Sequence, residues 1–423
     1  MLAKKINSCR CCGSTNLKSF IDFGDQVLTT MFPQKNQKNQ KKIPMKVVIC
    51  SYCYLVQLKH NYKLDKLFND DYGYRSGINK TMNDHLNGIV LDIKKYIKLS
   101  EHDVVLDIAS NDGTLLNKYK NKNITKIGID PIAKKLKKFY KGNTIISDNF
   151  FSKKLFFKLS KKNKAKAISS IAVFYDISEP EKFIRDIKDI LSEDGIWVLE
   201  QSYFPLLVRN NAYDSICHEH LTYFMIKQLN FLLEKYNMRI FDLKLNDMNG
   251  GSIRIFVCHK DAIYKSNTNS IKKIYKIENE LLKNKASKLR QFKKRIISQR
   301  NKLIKLINKL LKSKKIIHVY GASTKGNVVL QYCNFTNRHI SFAADRNEEK
   351  WGRFTPGSDI EIISEEKSRK INPDYYLVLP WHFREEFIKR EYSYLKNGGK
   401  FIFPLPKIGI AKKVGSRIKM SVI

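Results

Sequence analysis

The stretch Asp103-Val-Val-Leu-Asp-Ile-Ala-Ser-Asn-Asp-Gly-Thr114 decides the fold. Its first half is a short, nearly unbroken apolar run, the pattern of a strand buried on both faces. Its second half cannot extend that strand, because Ala109 to Thr114 is a cluster of small and turn-forming residues, and the spacing predicts a helix beginning near Leu115. The alternation then repeats. Lys126 to Asp130 reads as a second strand, Asn143 to Asp148 as a third and Ala165 to Phe174 as a fourth; a helix follows over Pro180 to Leu191 and a fifth strand over Gly195 to Glu200. Strands alternating with helices imply a parallel, doubly wound sheet, whose ligands sit beyond the carboxyl ends of the strands.

The same stretch constrains the ligand. Asp130 closes the second strand seventeen residues beyond Gly113, where an acid can accept both hydroxyls of a ribose. The three-glycine dinucleotide fingerprint is absent, and Asp107, placed just before the turn, would repel a pyrophosphate. An acid there suits a cation instead, such as the methionine portion of S-adenosylmethionine.

Working outward, the chain has 423 residues, enough for two or three domains each with its own core. Towards the N-terminus, Cys9-x2-Cys12 and Cys50-x2-Cys53 form two knuckles, and four thiolates make the closed tetrahedral shell of structural zinc. Cys11 reads as a bystander between ligands. The polar, repetitive segment Pro33 to Lys42 between the knuckles reads as a flexible loop. Leu64, Leu67 and Phe68, then Met82, Leu86, Ile89, Val90 and Ile93, have helical spacing, and between them Asp71-Tyr-Gly-Tyr-Arg-Ser-Gly77 reads as an ordered loop with binding tyrosines. Beyond the first α/β block, residues 262 to 315 predict long amphipathic helices with a basic outer face. A second α/β block begins at Lys315-Ile-Ile-His-Val-Tyr-Gly321 and continues through Ile340 to Asp345, Tyr375 to Pro380 and Lys400 to Pro404.

The net charge of +39 is spread over the chain rather than gathered in one stripe, which argues against a nucleic-acid-binding protein and for a general attraction of anionic small substrates. The sequence has no apolar run long enough to span a membrane and no signal-peptide core at its start, so a cytoplasmic location is expected. The run Ile216-Cys-His-Glu-His-Leu-Thr-Tyr-Phe224 leaves three readings open: a metal site, a buried polar edge, or an acid/base site. In the second block, Gly321-Ala-Ser-Thr-Lys-Gly326 lacks the Lys-Ser/Thr ending of a P-loop but is still a strand, turn and helix start with backbone N–H groups and Lys325 available to an anion.

Several motifs, in this order along nearly the whole chain, together resemble the sugar C-methyltransferases of deoxysugar biosynthesis: the four cysteines, YGYRSG, VLDIASNDGTLL, GIDP, FYDISEP, EQSY, CHEHLTYF, NGGSIR, GASTKGN, TPGSDI and LPWHF. The resemblance implies an α/β protein with a zinc-binding N-terminal module, a class I (Rossmann-like) methyltransferase domain and a second, C-terminal Rossmann-like domain. The expected divisions are residues 1–62, a helical segment with a substrate loop at 63–100, the methyltransferase domain at 101–261, a helical linker at 262–314, and 315–423. It implies S-adenosyl-L-methionine as cofactor and a nucleotide-linked keto-deoxysugar, methylated at C3, as substrate; the alternatives are O- or N-methylation of a nucleotide sugar and, less favoured, a zinc-ribbon nucleic-acid-binding protein, and the oligomeric state, a monomer included, is left open.

The resemblance also distributes roles. Asp107, Ser110 and Gly113 would line the methionine side of the cofactor, Asp130 would hold the ribose, and Asp148 with Asn149 would lie near adenine. His220 would be the base that takes the C3 proton. Glu219 would bind a sugar hydroxyl or orient its neighbour, Tyr74 would sit over the substrate, and His218 would donate to the oxyanion or pack behind. Tyr72, Tyr203, Asn249, Arg254, Ser323, Lys325 and His382 would contact the substrate. Two residues depart from the family pattern: Ala109 stands where glycine is usual, and Cys217 stands where tyrosine commonly precedes the His-Glu-His run.

Overall fold

In the computed structural model, residues 2–37, 40–68 and 71–423 are described. Lys38 and Asn39, in the polar loop between the knuckles, lie outside them.

The N-terminal module is built from β1 (Ala3–Lys5), β2 (Leu17–Gln26), β3 (Ile43–Cys50), β4 (Val56–Leu58) and β5 (His60–Tyr62). After the short α1 (Leu64–Leu67) comes α2 (Lys80–Tyr96), started by the Asn79 side chain, which accepts from the Thr81 amide. Its buried residues Leu86, Ile89, Val90 and Ile93 recur at three- and four-residue spacing, as the sequence pattern requires.

The first α/β unit holds β6 (Val104–Ile108), β7 (Thr125–Ile129), β8 (Thr144–Ser147), α3 (Lys153–Leu159), β9 (Ala165–Ile171), α4 (Pro180–Ile190) and β10 (Leu191–Ser202). It continues through α5 (Phe204–Arg209), β11 (Thr222–Tyr223), α6 (Ile226–Glu234), β12 (Met238–Asn246) and β13 (Ser252–His259). Its seven-stranded sheet has the order β12-β13-β10-β9-β6-β7-β8. β10, β9, β6, β7 and β8 run parallel, and β13 is antiparallel to its neighbours β10 and β12. β11 departs from this unit to pair with β4 in a four-stranded sheet ordered β11-β4-β3-β2, so the cysteine module and the first α/β unit share a strand edge.

Three details correct the sequence reading. The helix expected from Leu115 is a single 3-10 turn, Leu116–Lys118, because after Tyr119 the chain reads Lys-Asn-Lys-Asn and offers no further apolar face to bury. The fourth strand stops at Ile171, where Ala172 turns the chain with φ 59°. β12, the short strand Ile362–Ser364 and the C-terminal hairpin described below are strands that the sequence pattern does not announce.

The helices α7 (Thr268–Lys283) and α8 (Lys285–Lys312) fill the span where long amphipathic helices are expected. On α8 the buried stripe is Phe292, Ile296, Gln299, Leu303 and Ile307; each large apolar member contributes about 1.5–3 kcal/mol by burial. The second α/β unit follows: β14 (Ile317–Tyr320), α9 (Thr324–Tyr332), β15 (Phe342–Asp345), β16 (Ile362–Ser364), α10 (Glu365–Ile371), β17 (Tyr375–Val378), α11 (Arg384–Arg390), α12 (Tyr392–Lys396) and β18 (Lys400–Phe403), then the hairpin β19 (Gly409–Val414) and β20 (Arg417–Val422). Its sheet order is β16-β15-β14-β17-β18-β19-β20. Counting strands within each unit, both sheets therefore run 3-2-1-4-5 and end in an antiparallel pair. Each order reverses beside its first strand, and the crevice at that point is where doubly wound sheets bind ligands. Among the described residues no helix is long and apolar enough to cross a membrane.

Candidate active site

The two crevices open into one cavity of 580 Å³. The first sheet supplies the turn after β6, the end of β7 and the segment after β9; the second supplies Gly321 to Lys325, Asp345 to Asn347 and Leu379 to Phe383.

On the first side, Asp130 lines the cavity with its carboxylate fixed by two backbone amides, Asn111 N to Oδ2 at 2.8 Å and Ile132 N to Oδ1 at 2.9 Å. It is held in place by acceptor geometry that still leaves lone pairs for a diol. Asp107 also lines the cavity and accepts from the Ser169 hydroxyl at 2.6 Å. Burial, with a smaller push from Asp130, raises its pKa to about 7. A half-protonated buried acid is what a positively charged ligand group would complete. Ser110 lines the cavity too, with its hydroxyl bonded to the Tyr140 hydroxyl at 2.7 Å. Gly113 is not on the cavity wall; at φ 71° it lies under the Tyr140 ring, where an added Cβ would come within 2.5 Å of a ring carbon. Asn149 lines the cavity, whereas Asp148 is exposed and outside it.

The turn also positions the tyrosine loop. Asn111 accepts from the Ser76 amide at 2.9 Å and donates to the Tyr74 carbonyl at 3.2 Å, while Asp112 accepts from the Gly77 amide at 2.8 Å. Tyr72 and Tyr74 both reach the cavity. The Tyr72 hydroxyl donates to Glu219 at 3.5 Å.

The Cys-His-Glu-His run divides. His220 and Glu219 line the cavity, and His218 does not: it is buried with its ring edge-on to Tyr62, centroids 4.8 Å apart. His220 Nδ1 lies 2.6 Å from the Ser215 carbonyl. A carbonyl only accepts, so Nδ1 carries the proton and Nε2 keeps its lone pair. Burial, reinforced by the positive charge of Lys325, lowers the His220 pKa to about 3. Burial raises Glu219 to about 8, with Lys325 opposing. At neutral pH the imidazole is thus a free base and the carboxyl beside it mostly an acid, a separation set by environment.

From the second sheet, Lys325 enters this wall from the first turn of α9, donating to Ser215 Oγ at 3.1 Å and the Asn249 carbonyl at 3.2 Å. Asn249, Ser323 and His382 line the cavity. The Ser323 hydroxyl caps α9 by accepting from Gly326 N at 3.1 Å. Two expected substrate contacts lie outside the cavity lining. Tyr203 is buried, donating to Glu278 at 2.7 Å. Arg254 lies behind the wall, bonded through Nε to Glu200 at 2.7 Å and through a second nitrogen to Asp92. It anchors Glu200, which lines the cavity and is bonded to His85. The sequence assigns no role to His85, Glu200, Tyr140, Tyr175 or Asp176; Tyr175, Asp176 and Glu200 lie inside motifs that carry the resemblance, which is the signal available.

The cysteine knuckles meet at the rim of β3. Cys9 Sγ lies 3.6 Å from Cys53 Sγ and Cys12 Sγ 3.6 Å from Cys50 Sγ, and all four lie within 4.8 Å of one another. Metal–sulfur bonds of about 2.3 Å in a tetrahedron require sulfur pairs about 3.8 Å apart, so the four fit zinc. Gln57 donates to Cys9 Sγ at 3.1 Å, and Cys11 turns away toward the Gln228 carbonyl. Among the described residues this is the group of acid, histidine and cysteine side chains close enough to share an ion, and neither His218 nor His220 belongs to it.

Three family models match in succession: a domain described as zinc-binding over residues 9–68, a methyltransferase domain over 82–243, and a C-methyltransferase C-terminal domain over 247–406. Together these matches indicate an S-adenosylmethionine-dependent methyltransferase whose three successive regions are similar to the domains of C-methyltransferases. Among curated proteins it is similar to C-methyltransferase NovU of Streptomyces niveus, 28% identical over 417 residues, 96% of this chain and 97% of the relative. Solved structures give slighter likenesses. The plantazolicin methyltransferase BpumL in complex with SAH has a TM-score of 0.34 at 11% identity, covering 41% of this chain and 82% of that one. The YcgJ protein from Bacillus subtilis has 0.32 at 14%, covering 42% and 100%.

Proposed function

We propose that the protein methylates C3 of a nucleotide-linked 4-keto-deoxysugar through an enolate, with the cofactor at the first crevice and the nucleotide end of the substrate toward the second. The observation that carries this reading is His220: its Nδ1 proton is committed to Ser215, which leaves an unprotonated Nε2 in a cavity also lined by the Asp107 and Asp130 carboxyls. The cofactor supplies an electrophilic methyl on a sulfonium. The sugar carbon, unlike that methyl, needs activation. His220 Nε2 takes the C3 proton, the C–H electron pair forms the C3–C4 double bond, and the ketone oxygen takes up negative charge. Attack of C3 on the methyl, with the methyl–sulfur bond breaking onto sulfur, then returns the ketone. Glu219, mostly protonated, hydrogen-bonds a sugar oxygen, and Tyr72 and Tyr74 cover the ring. Asp130 holds the ribose of the cofactor, and Asp107 with Ser110 faces its methionine end.

In this reading Lys325 and the amides at the start of α9 face the diphosphate, helped by the positive charge of the whole chain. Cys9, Cys12, Cys50 and Cys53 hold one structural zinc. The working domains are those expected from sequence, with residues 315–423 serving the nucleotide. The test is product analysis: the enzyme, isotopically labelled methyl donor and a panel of nucleotide 4-keto sugars, read by mass spectrometry and NMR. A label on sugar C3 of one or more members is expected. A label found on oxygen or nitrogen, or on no member of the panel, would refute the proposal.

A further inference from the structure

We propose that Asp176 is a further catalytic residue, the hydrogen-bond donor to the ketone oxygen that becomes the enolate oxygen. The proposal rests on the enolate reading above. Asp176 ends the one-turn segment Phe174–Asp176 that follows β9, and it lines the cavity. Its Oδ1 is buried and makes no hydrogen bond. Native interiors rarely leave a carboxyl oxygen in that condition, because an unmet buried acceptor or donor is costly. Such an atom on a cavity wall is one that a ligand can complete.

Its neighbours already have partners. The Thr222 hydroxyl donates to the Tyr175 carbonyl at 3.0 Å, fixing the segment against β11; His220 Nδ1 is held by Ser215; Lys325 is held by Ser215 and Asn249. The Tyr175 ring packs on the His220 imidazole with centroids 4.1 Å apart, and the next residue, Asp176, lines the same cavity as the proposed base. Glu219 and Lys325 are the charged groups that act on Asp176, and Tyr72, Tyr175 and Cys217 feel its charge in turn. Burial first, and the like charge of Glu219 second, raise its pKa well above the usual carboxylate range, against the pull of Lys325. A neutral carboxyl carries the O–H that an oxyanion needs.

The step balances without another reactant. When the C3–H bond breaks, the proton goes to His220 and the C–H pair forms the C3–C4 double bond. The displaced carbonyl pair settles on the oxygen, to which the Asp176 O–H donates while keeping its own proton. When the C3–C4 double-bond pair attacks the methyl of the methyl donor, the methyl–sulfur bond breaks with its pair staying on sulfur as a neutral thioether, the oxygen pair re-forms the carbonyl, and the oxygen is again neutral.

The experiment compares Asp176→Asn, whose amide still donates, with Asp176→Ala, which cannot. With wild-type substrate and methyl donor saturating, Asp176→Ala should lower single-turnover methyl transfer about 10²–10³-fold, the usual cost of one oxyanion donor, and Asp176→Asn less than about tenfold. Calorimetric affinity for S-adenosylmethionine should stay within about twofold in both, which a general structural defect would not allow. Infrared spectra of the substrate-free protein at neutral pH should lose one protonated carboxyl band in Asp176→Asn. Near wild-type transfer by Asp176→Ala, equal losses in both variants, or an unchanged carboxyl band would each overturn the proposal. A wild type inactive on every keto sugar, with the Asp176 band present, would instead sink the enolate reading and this proposal with it.

Discussion

At the scale of single residues, the turn after β6 carries both a cost and a switch. Ala109 has φ 57°, the left-handed region that a side chain disfavours by roughly 1–2 kcal/mol. That conformation explains why glycine is the common residue at this place in the family pattern. Ala109→Gly should therefore raise stability by about 0.5–1 kcal/mol, after the extra unfolded-state freedom of glycine is subtracted, measured by urea denaturation. Asp107 is the switch. Its pKa of about 7 in the free protein must fall when a cation binds, so cofactor binding requires loss of a proton. Affinity for S-adenosylmethionine should rise about tenfold per pH unit below 7 and level off above it. Asp107→Asn should bind more weakly and show no such slope, and calorimetry across pH 5.5 to 8.5 checks both expectations. An affinity of the wild type that fell as pH rose would contradict the assignment.

At the scale of elements, what was legible in the sequence is what local chemistry determines. Val104 to Ile108 is apolar throughout and is followed by turn residues, so β6 could be read directly; the same holds for Ile317 to Tyr320 in β14 and for the periodic stripe of α8. The four cysteines were legible because their spacing is itself the geometry. The one-turn connection after Thr114 was not, because Leu115 and Leu116 look like a helix start and only the exhaustion of apolar residues after Tyr119 stops it. Spacing alone could not separate His218 from His220 either; only the resemblance gives them different roles. Two positions apart, they part company because one faces Tyr62 in the N-terminal module and the other faces Tyr175 on the cavity wall. Asp176 was illegible for the same reason: its bare carboxyl acquires meaning only beside Glu219 and Lys325, which are distant in sequence. The cysteine module supplies the element-scale prediction. One zinc per chain is expected, lost in Cys12→Ser and kept in Cys11→Ser by elemental analysis. Because β11 pairs with β4 two residues beyond His220, metal loss should also depress turnover. Zinc-free protein of full activity and unchanged melting temperature would refute this.

At the scale of the whole molecule, two sheets with the same 3-2-1-4-5 order turn their switch points toward one cavity, and neither unit encloses the site alone. Lys325 expresses that dependence in one side chain, since it starts from α9 of the second sheet and ends among Ser215, Asn249, Asp214 and Glu219 of the first. Lys325→Met should weaken binding of the nucleotide sugar about tenfold or more, at roughly 1.5–3 kcal/mol for a charged hydrogen bond, while cofactor affinity stays unchanged. Titration of each ligand separately distinguishes this from a general loss of fold. The central claim is that methyl transfer goes through carbon activated by His220. Its most direct measurement is single-turnover methyl transfer by folded His220→Ala protein with cofactor and nucleotide keto sugar both saturating. A fall of about 10²–10⁴-fold, with binding of the nucleotide sugar retained, is the predicted result; transfer at close to the wild-type rate would contradict it.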